Sequence, residues 1–416
     1  MRRPLVGIFA LFAAGYFLSY SFRSIGPLIA PDLMRELSLD AGELGLLASV
    51  YFLAFAVAQP FIGISMDRHG PALVNAVLLA TAAGGGALFA SAESLMALAI
   101  GRALIGLGVS GALMTAMHAF VVWYRPQDRE TLSATIMAVG GLAAMLVSVP
   151  AELAMRALGW RGLFWVLGAA SLVTAFALWR LVPPGGIDKN GSQSHSAGHD
   201  VRDAGAGFHT IFGSRIFLAY APLAFFGSGG FSAVQSLWAG PWLIEAAGHT
   251  RASAAQVLFV YGLALFLGYL VIAHLSARVR GIAWAPRAIY MASLALAYAA
   301  LAAIISNQWP LSSLPWFAYG LTLGAGMLAY PALTRVFPTS IAGRVVTAYN
   351  VVMFAGAFVL QWAIGATVQG LLDAGMATSR AYQSSFAALL TLQGLSLLWF
   401  WALTRRTAPA AGSAEP

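Results

Sequence analysis

Long apolar stretches alternate with short polar turns along almost the whole chain. A bilayer core needs roughly 20 apolar residues per helix. Twelve runs reach that length, approximately 5–29, 43–65, 72–92, 96–123, 131–153 and 162–182, then 216–243, 254–277, 287–305, 314–336, 345–369 and 383–404. Pro, Gly or charge marks the turns between them. The first run carries Arg23 and is followed by no small-residue cleavage site, so it reads as a span and not as a removed signal peptide. Residues 183–208, PPGGIDKNGSQSHSAGHDVRDAGAGF, break the pattern and read as a solvated linker. His195 and His199 read as part of that linker, not as a metal site. The expectation is an all-α integral membrane protein of twelve transmembrane helices. Six form a bundle over 1–182, a linker covers 183–208, six more form a bundle over 209–404, and 405–416 is a tail.

Composition sharpens this picture. Hydrophobic residues make up 60% of the 416 and charged residues 9%, with a mean hydropathy of +0.78. A soluble domain carries about 25% charged residues, so a water-facing globule is excluded. There is no cysteine, which removes disulfides, thiolate catalysis and thiolate metal sites. The net charge is +8. With both termini cytoplasmic, 16 basic residues fall on the inside and 5 outside, while Arg23 and Arg102 lie within spans. That bias sets a topology for a bacterial inner membrane and accounts for the basic pI without a nucleic-acid partner. Two halves of equal span count are what an internally duplicated transporter gives. The direct echo between halves is weak: Arg125-Pro126 leading to Arg129, against Phe337-Pro338 leading to Arg344.

Three motifs stand in the turns and spans. The second turn reads Gly63-Ile64-Ser65-Met66-Asp67-Arg68-His69-Gly70. The fourth run carries Gly101-Arg102, then Gly106 and Gly108. The turn before the sixth run reads Gly159-Trp160-Arg161. With six-plus-six spans and a central linker, the chain resembles the major facilitator superfamily over essentially its whole length. The resemblance implies that Gly63, Asp67, Arg68 and Gly70 form a gate, Asp67 bonding across to the other half in the outward-open state. The family usually has two basic residues after the second glycine. Here they are Pro71 and Ala72, so the gate is expected to be weaker or differently latched. The resemblance also implies that Arg102 braces the fourth span against the first, with Gly106 and Gly108 permitting close approach.

Arg23 is the most informative residue. Tyr16, Tyr20 and Arg23 share one helical face. A guanidinium presents a planar fork suited to carboxylate or phosphate. Tyr20-x-x-Arg23 looks like the first span of the anion:cation symporters and organophosphate antiporters, where that arginine grips the anion. Two other readings stay open: Arg23 snorkels to the headgroups, or it pairs with an internal acid. The resemblance places the first, fourth, seventh and tenth spans around a cavity. Thr115 and His118 then join the candidate substrate-binding set, as do Gln235, Trp238 and Tyr330, with Asn350 and Gln361 on the eleventh span. His118 is the one histidine inside such a span and a candidate proton carrier, although simple hydrogen bonding is also open.

Absences narrow the function. No acid sits at a membrane centre, and the fifth run lacks the Gly-Pro-x-x-Gly-Gly pattern of drug antiporters. No Walker sequence or catalytic constellation appears, so neither an enzyme nor a cofactor is expected. The expected function is secondary transport of a small organic anion by a monomer, with possible coupling to a proton. The alternatives are efflux of neutral or amphipathic compounds and a non-transporting receptor or assembly component.

Overall fold

The computed structural model describes residues 3–183, 209–279, 285–307, 313–338 and 341–404. The expected linker beyond Pro183, with His195 and His199, and the tail over 405–416 lie outside the described residues. The first half comprises α1 (Arg3–Ser24), α2 (Gly26–Leu37), α3 (Ala41–Ser91), α4 (Leu95–Val109), α5 (Ala112–Trp123), α6 (Pro126–Leu146) and α7 (Val149–Leu181). The second comprises α8 (Arg215–Ala246), α9 (Arg251–Arg278), α10 (Ala285–Ser306), α11 (Ser313–Leu321), α12 (Ala329–Thr334), α13 (Ala342–Asp373) and α14 (Thr378–Thr404).

Local chemistry sets the ends of these helices. At α3 the Asp40 carboxylate accepts from Glu43 N at 2.7 Å, and Glu43 accepts from Asp40 N at 3.1 Å, a reciprocal cap. Ser94 caps α4 and Thr250 caps α9 in the same one-sided way. Large apolar side chains such as Phe61, Val173, Trp179 and Leu398 point outward. Such a surface suits lipid, not water.

Among the described residues nine helices are long and apolar enough to cross a membrane. The expected runs map onto them with corrections. The second and third runs are one continuous α3 that reverses at Gly70, where φ is 76° and ψ 159°. A Cβ is strained in that conformation, so glycine permits the turn without a loop. Gly159, at φ 67°, divides α7 likewise between the fifth and sixth runs. The fourth run is two pieces, α4 and α5. The tenth passes from α11 through a tightened turn at Leu323–Leu328 into α12. Within α8 the turns widen at Leu223–Gly229, Val234–Trp238 and Trp242–Ala246. Wide turns of this kind recur at functional sites.

Successive crossings alternate in direction. The face where α1 begins is called here the terminal face, and the opposite one the far face. Tyr124 donates to Leu5 O on the terminal face. On the far face the two bundles meet closely. Gly26 backs onto Ser236 O, and Gly240 onto Pro27 O, each too near to admit a Cβ. Gly45 faces Gln361 O and Trp238, while Gly365 faces Ala41 O and Trp238. Small residues let backbones approach in this way. The structure is therefore sealed at the far face. Gly240→Ala is expected to part this seam. Because the chain has no cysteine, an Ala41→Cys reporter, 2% exposed in the closed seam, should label with a thiol reagent several-fold faster in the Gly240→Ala background. Unchanged labelling in a folded protein would refute the seam.

Candidate functional site

Between the bundles lies a cavity of about 420 Å³. From the first half, α1 contributes Tyr16, Ser19, Tyr20 and Arg23, and α3 contributes Phe55 and Gln59. From the second, α8 contributes Ser228, Ser232 and Gln235, while Tyr330 and Asn350 enter from α12 and α13. A larger hollow of about 580 Å³, lined by Phe61, Ile62, Val77 and their neighbours, lies on the outer surface and contains no expected substrate-binding residue.

Arg23 sits in the cavity wall. Its guanidinium carbon lies 5.3 Å from the Tyr20 ring, 5.3 Å from Phe55 and 5.5 Å from Phe354. Cation–π contacts of this kind are each worth about 0.5–2 kcal/mol, the more when water is excluded. Phe55 and Phe354 belong to opposite bundles and approach to 4.2 Å between centroids. The cation is thus cradled at the interface. Among the described ion pairs none involves Arg23, and its Nε has no hydrogen-bond partner. This geometry matches neither a snorkelling side chain nor an internal ion pair.

The other expected residues divide into two groups. Tyr16, Tyr20, Gln235, Tyr330 and Asn350 line the cavity. Tyr330 Oη donates to Asn350 Oδ1 at 2.6 Å, and Gln235 Nε2 is buried without a partner. Thr115, His118, Trp238 and Gln361 lie off the wall. On the fourth crossing the wall is built by Ser110, Leu113, Met114 and Met117. That face is one residue, about 100°, away from the Thr115/His118 face. Thr115 instead donates to Ala112 O at 3.2 Å. Trp238 Nε1 donates to Gln361 O at 2.9 Å, and Ser236 Oγ reaches Gln361 Oε1 at 3.4 Å. Trp238 and Gln361 belong to the far-face seam.

Sequence reasoning missed Phe55, Phe354, Gln59, Tyr269 and the methionines. Phe55 and Gln59 stand four apart on one face, a readable signal. Tyr269 comes from α9, outside the four spans that the resemblance singled out.

The motif residues are placed as follows. Asp67 and Arg68 are exposed, and neither makes a described ion pair. Gly63 has nothing within 4 Å of where a Cβ would lie, so no neighbouring helix comes close to it. Gly70 supplies the turn. Arg102 is 5% exposed, donates to Phe22 O at 3.5 Å and lies 4.7 Å from the Phe89 ring. It therefore joins α4 to α1 without an acid. Gly106 backs onto Tyr51 O and Gly108 onto Ala82 N, each closer than a Cβ allows. Trp160 donates to Glu36 at 2.8 Å, Arg161 pairs with the same carboxylate, and Arg161 also donates to Ala92 O at 2.9 Å.

The family model described as Major Facilitator Superfamily matches residues 11–361. The chain belongs to the Major Facilitator Superfamily. This facilitator is 30% identical over 171 residues to the protein named Probable sulfoacetate transporter SauU of Cupriavidus necator, covering 41% of this chain and 39% of that one. The match thus spans about two fifths of that relative's length. It is 26% identical over 358 residues to a chloramphenicol resistance protein of Streptomyces lividans, covering 82% and 85%. Among solved structures, a bacterial homolog of the human lysosomal transporter Spinster, inward-facing and unoccupied, matches with a TM-score of 0.73 at 17% identity over 99% of this chain and 100% of that one. At that identity the likeness shows the fold alone. The protein is a multi-pass integral membrane protein of a transporter family.

Near the far face Arg251 of α9 bridges the halves of this facilitator. It reaches Asp32 at 2.6 and 2.9 Å and Glu152 at 2.8 Å. The Glu152 side chain is only 7% exposed. Removing the arginine leaves that carboxylate only Arg156, 3.7 Å away in its own bundle, and a poorly satisfied buried group costs about 1–3 kcal/mol. Arg251→Ala is expected to shift the population from far-face-closed toward far-face-open roughly 5- to 150-fold, read by spin-label distances across α2 and α9. Arg251→Lys should recover part of the closed state. Identical distance distributions in wild type and Arg251→Ala would exclude the latch.

Proposed function

We propose that this facilitator moves a small organic anion across the bacterial inner membrane by alternating access. The observation that carries the reading is the acid-free guanidinium of Arg23 in the wall between the bundles. A cation there has aromatic faces above and beside it but no counter-charge. An entering carboxylate supplies that charge, and a charge-assisted hydrogen bond is about twice as strong as a neutral one. Gln235 Nε2 adds a donor from the other bundle. A bound anion therefore touches both halves. A ligand shifts a two-state equilibrium only by binding one state better. Contact with both halves supplies that difference, because it is greatest when the bundles close around the solute.

The basic residues gather on the terminal face, which on the positive-inside bias is cytoplasmic. With the far face sealed, the arrangement is then inward-facing. Parting of the Arg251 latch and the glycine seam opens the site outward, and Asp67 and Arg68 stand at the inner rim that must close in exchange. The sulfoacetate relative supports an anionic solute. His118 lies off the cavity, which makes it a poor carrier of a coupled proton. Any coupling is assigned to the solute gradient or to other groups.

Efflux of an amphipathic neutral compound is the second reading. The chloramphenicol resistance relative covers most of the chain and favours it. Arg23 separates the two. In proteoliposomes offered carboxylate, phosphate and sulfonate solutes, Arg23→Ala is expected to lower anion uptake roughly 10- to 150-fold, the worth of a charged hydrogen bond. Arg23→Lys should retain more, and His118→Gln should leave the pH profile unchanged. Full anion uptake by Arg23→Ala would remove the anion reading in favour of the neutral one.

A further inference from the structure

The cavity wall holds one charge. Among the described residues Arg23 is its only ionisable acid or base apart from tyrosines. The other intramembrane guanidinium, Arg102, does not line the cavity and is turned to Phe22 O, Phe89 and Phe164. A dianion bound here would keep one charge uncompensated in a wall of low polarity, and that is costly. The wall thus matches a single negative charge.

Six of its thirteen polar side chains are already engaged within the protein. Gln59 Nε2 donates to Ser110 O at 3.1 Å, and Ser110 Oγ donates to Leu107 O at 2.6 Å. Ser19 donates to Val109 O at 3.1 Å, Ser232 to Ser228 O at 2.9 Å, and Tyr330 to Asn350 at 2.6 Å. Bonds of this kind satisfy those side chains internally. Arg23 and Gln235 keep buried, unpartnered nitrogens, and Tyr349 keeps a buried, unpartnered hydroxyl.

What remains is soft and apolar. Met114, Met117 and Met137 enter from one bundle, and Met327 and Met353 from the other. Thioether side chains are flexible and polarisable, and they adapt to apolar surfaces and aromatic rings. Leu113, Leu323 and Phe354 complete the surface. A cavity of about 150 Å³ lined by apolar groups takes benzene, and this one is about 420 Å³. A small inorganic anion would fill little of it.

We infer that the solute is an amphipathic organic monoanion. It carries one carboxylate for Arg23 and an apolar body of at least benzene size for the methionine-lined wall. The inference rests on the anion reading and narrows it, since it disfavours compact or multiply charged anions such as nitrate, phosphate and sulfoacetate.

The test uses the purified full-length chain with phenylacetate, its neutral amide, acetate, nitrate and sulfoacetate, each measured by equilibrium binding and thermal stabilisation. Phenylacetate is expected to bind at least tenfold tighter than the other four, and at least tenfold weaker to Arg23→Gln. Met137→Gln and Met353→Gln should each weaken it several-fold while acetate binding stays unchanged. A melting temperature close to wild type in these variants shows that they fold. If nitrate or sulfoacetate binds in an Arg23-dependent way and phenylacetate does not, the narrowing is overturned and the anion reading stands. If the amide equals phenylacetate and Arg23→Gln changes neither, both are overturned. Failure of phenylacetate to bind at all also overturns the inference.

Discussion

A guanidinium without an acid, held between two bundles that must move apart, is the constraint around which the rest is arranged. Charge inside a membrane is expensive, by roughly 2.5–3.5 kcal/mol on insertion scales. The fold reduces that cost with three aromatic rings from α1, α3 and α13. It does not remove the charge. The Tyr51 hydroxyl lies close enough to interact with the guanidinium, but a neutral phenol supplies no counter-charge. The resting protein therefore retains electrostatic free energy that a bound anion can lower. Because Phe55 and Phe354 bring opposite halves onto the same cation, that lowering acts at the joint between them.

The two intramembrane arginines show how context divides the same chemistry. Arg102 and Arg23 are both in apolar helices and both lie against aromatic rings. Arg102 has a carbonyl partner, Phe22 O, and no access to the cavity. Its role is to join α4 to α1 at the residue beside Arg23. Glycines do the corresponding work where backbones meet: Gly106 lets α4 approach Tyr51, and Gly108 approaches Ala82 in the other arm of α3. Placement of the Arg23 guanidinium thus depends on packing by residues that do not line the cavity.

The sequence reading succeeded where one strong local signal was enough. Apolar run lengths located the crossings, helical spacing put Tyr16, Tyr20 and Arg23 on one face, and the family resemblance turned that face toward a cavity. It failed where the rotation of a helix about its own axis decided the outcome. Thr115 and His118 stand one residue away from Ser110, Met114 and Met117, and hydropathy cannot separate those faces when both are buried. Trp238 and Gln361 failed for another reason. Each is polar enough to serve a cavity, but the indole donates to the Gln361 main-chain carbonyl and the Gln361 side chain accepts from Ser236, all within the second bundle where it meets the seam, and no single span reveals that. Phe354 and the five methionines on the wall were hidden because apolar residues in an apolar chain carry no contrast, whereas Phe55 was legible through its spacing to Gln59.

The departure at Pro71 and Ala72 gains meaning beside the far-face latch. The far side is held by Arg251 with two carboxylates and by glycine contacts between backbones. The terminal side offers Asp67 and Arg68, both exposed, and Gly63, which touches nothing across the gap. Without the two basic residues expected after Gly70, fewer charges are available there to hold that side shut. In this structure the far face is the closed one. Moving from that state requires breaking ion pairs that are partly shielded from water. On the anion reading, a solute that neutralises Arg23 acts on that transition only through the bundles it bridges, so contact with both halves matters more here than affinity for either one.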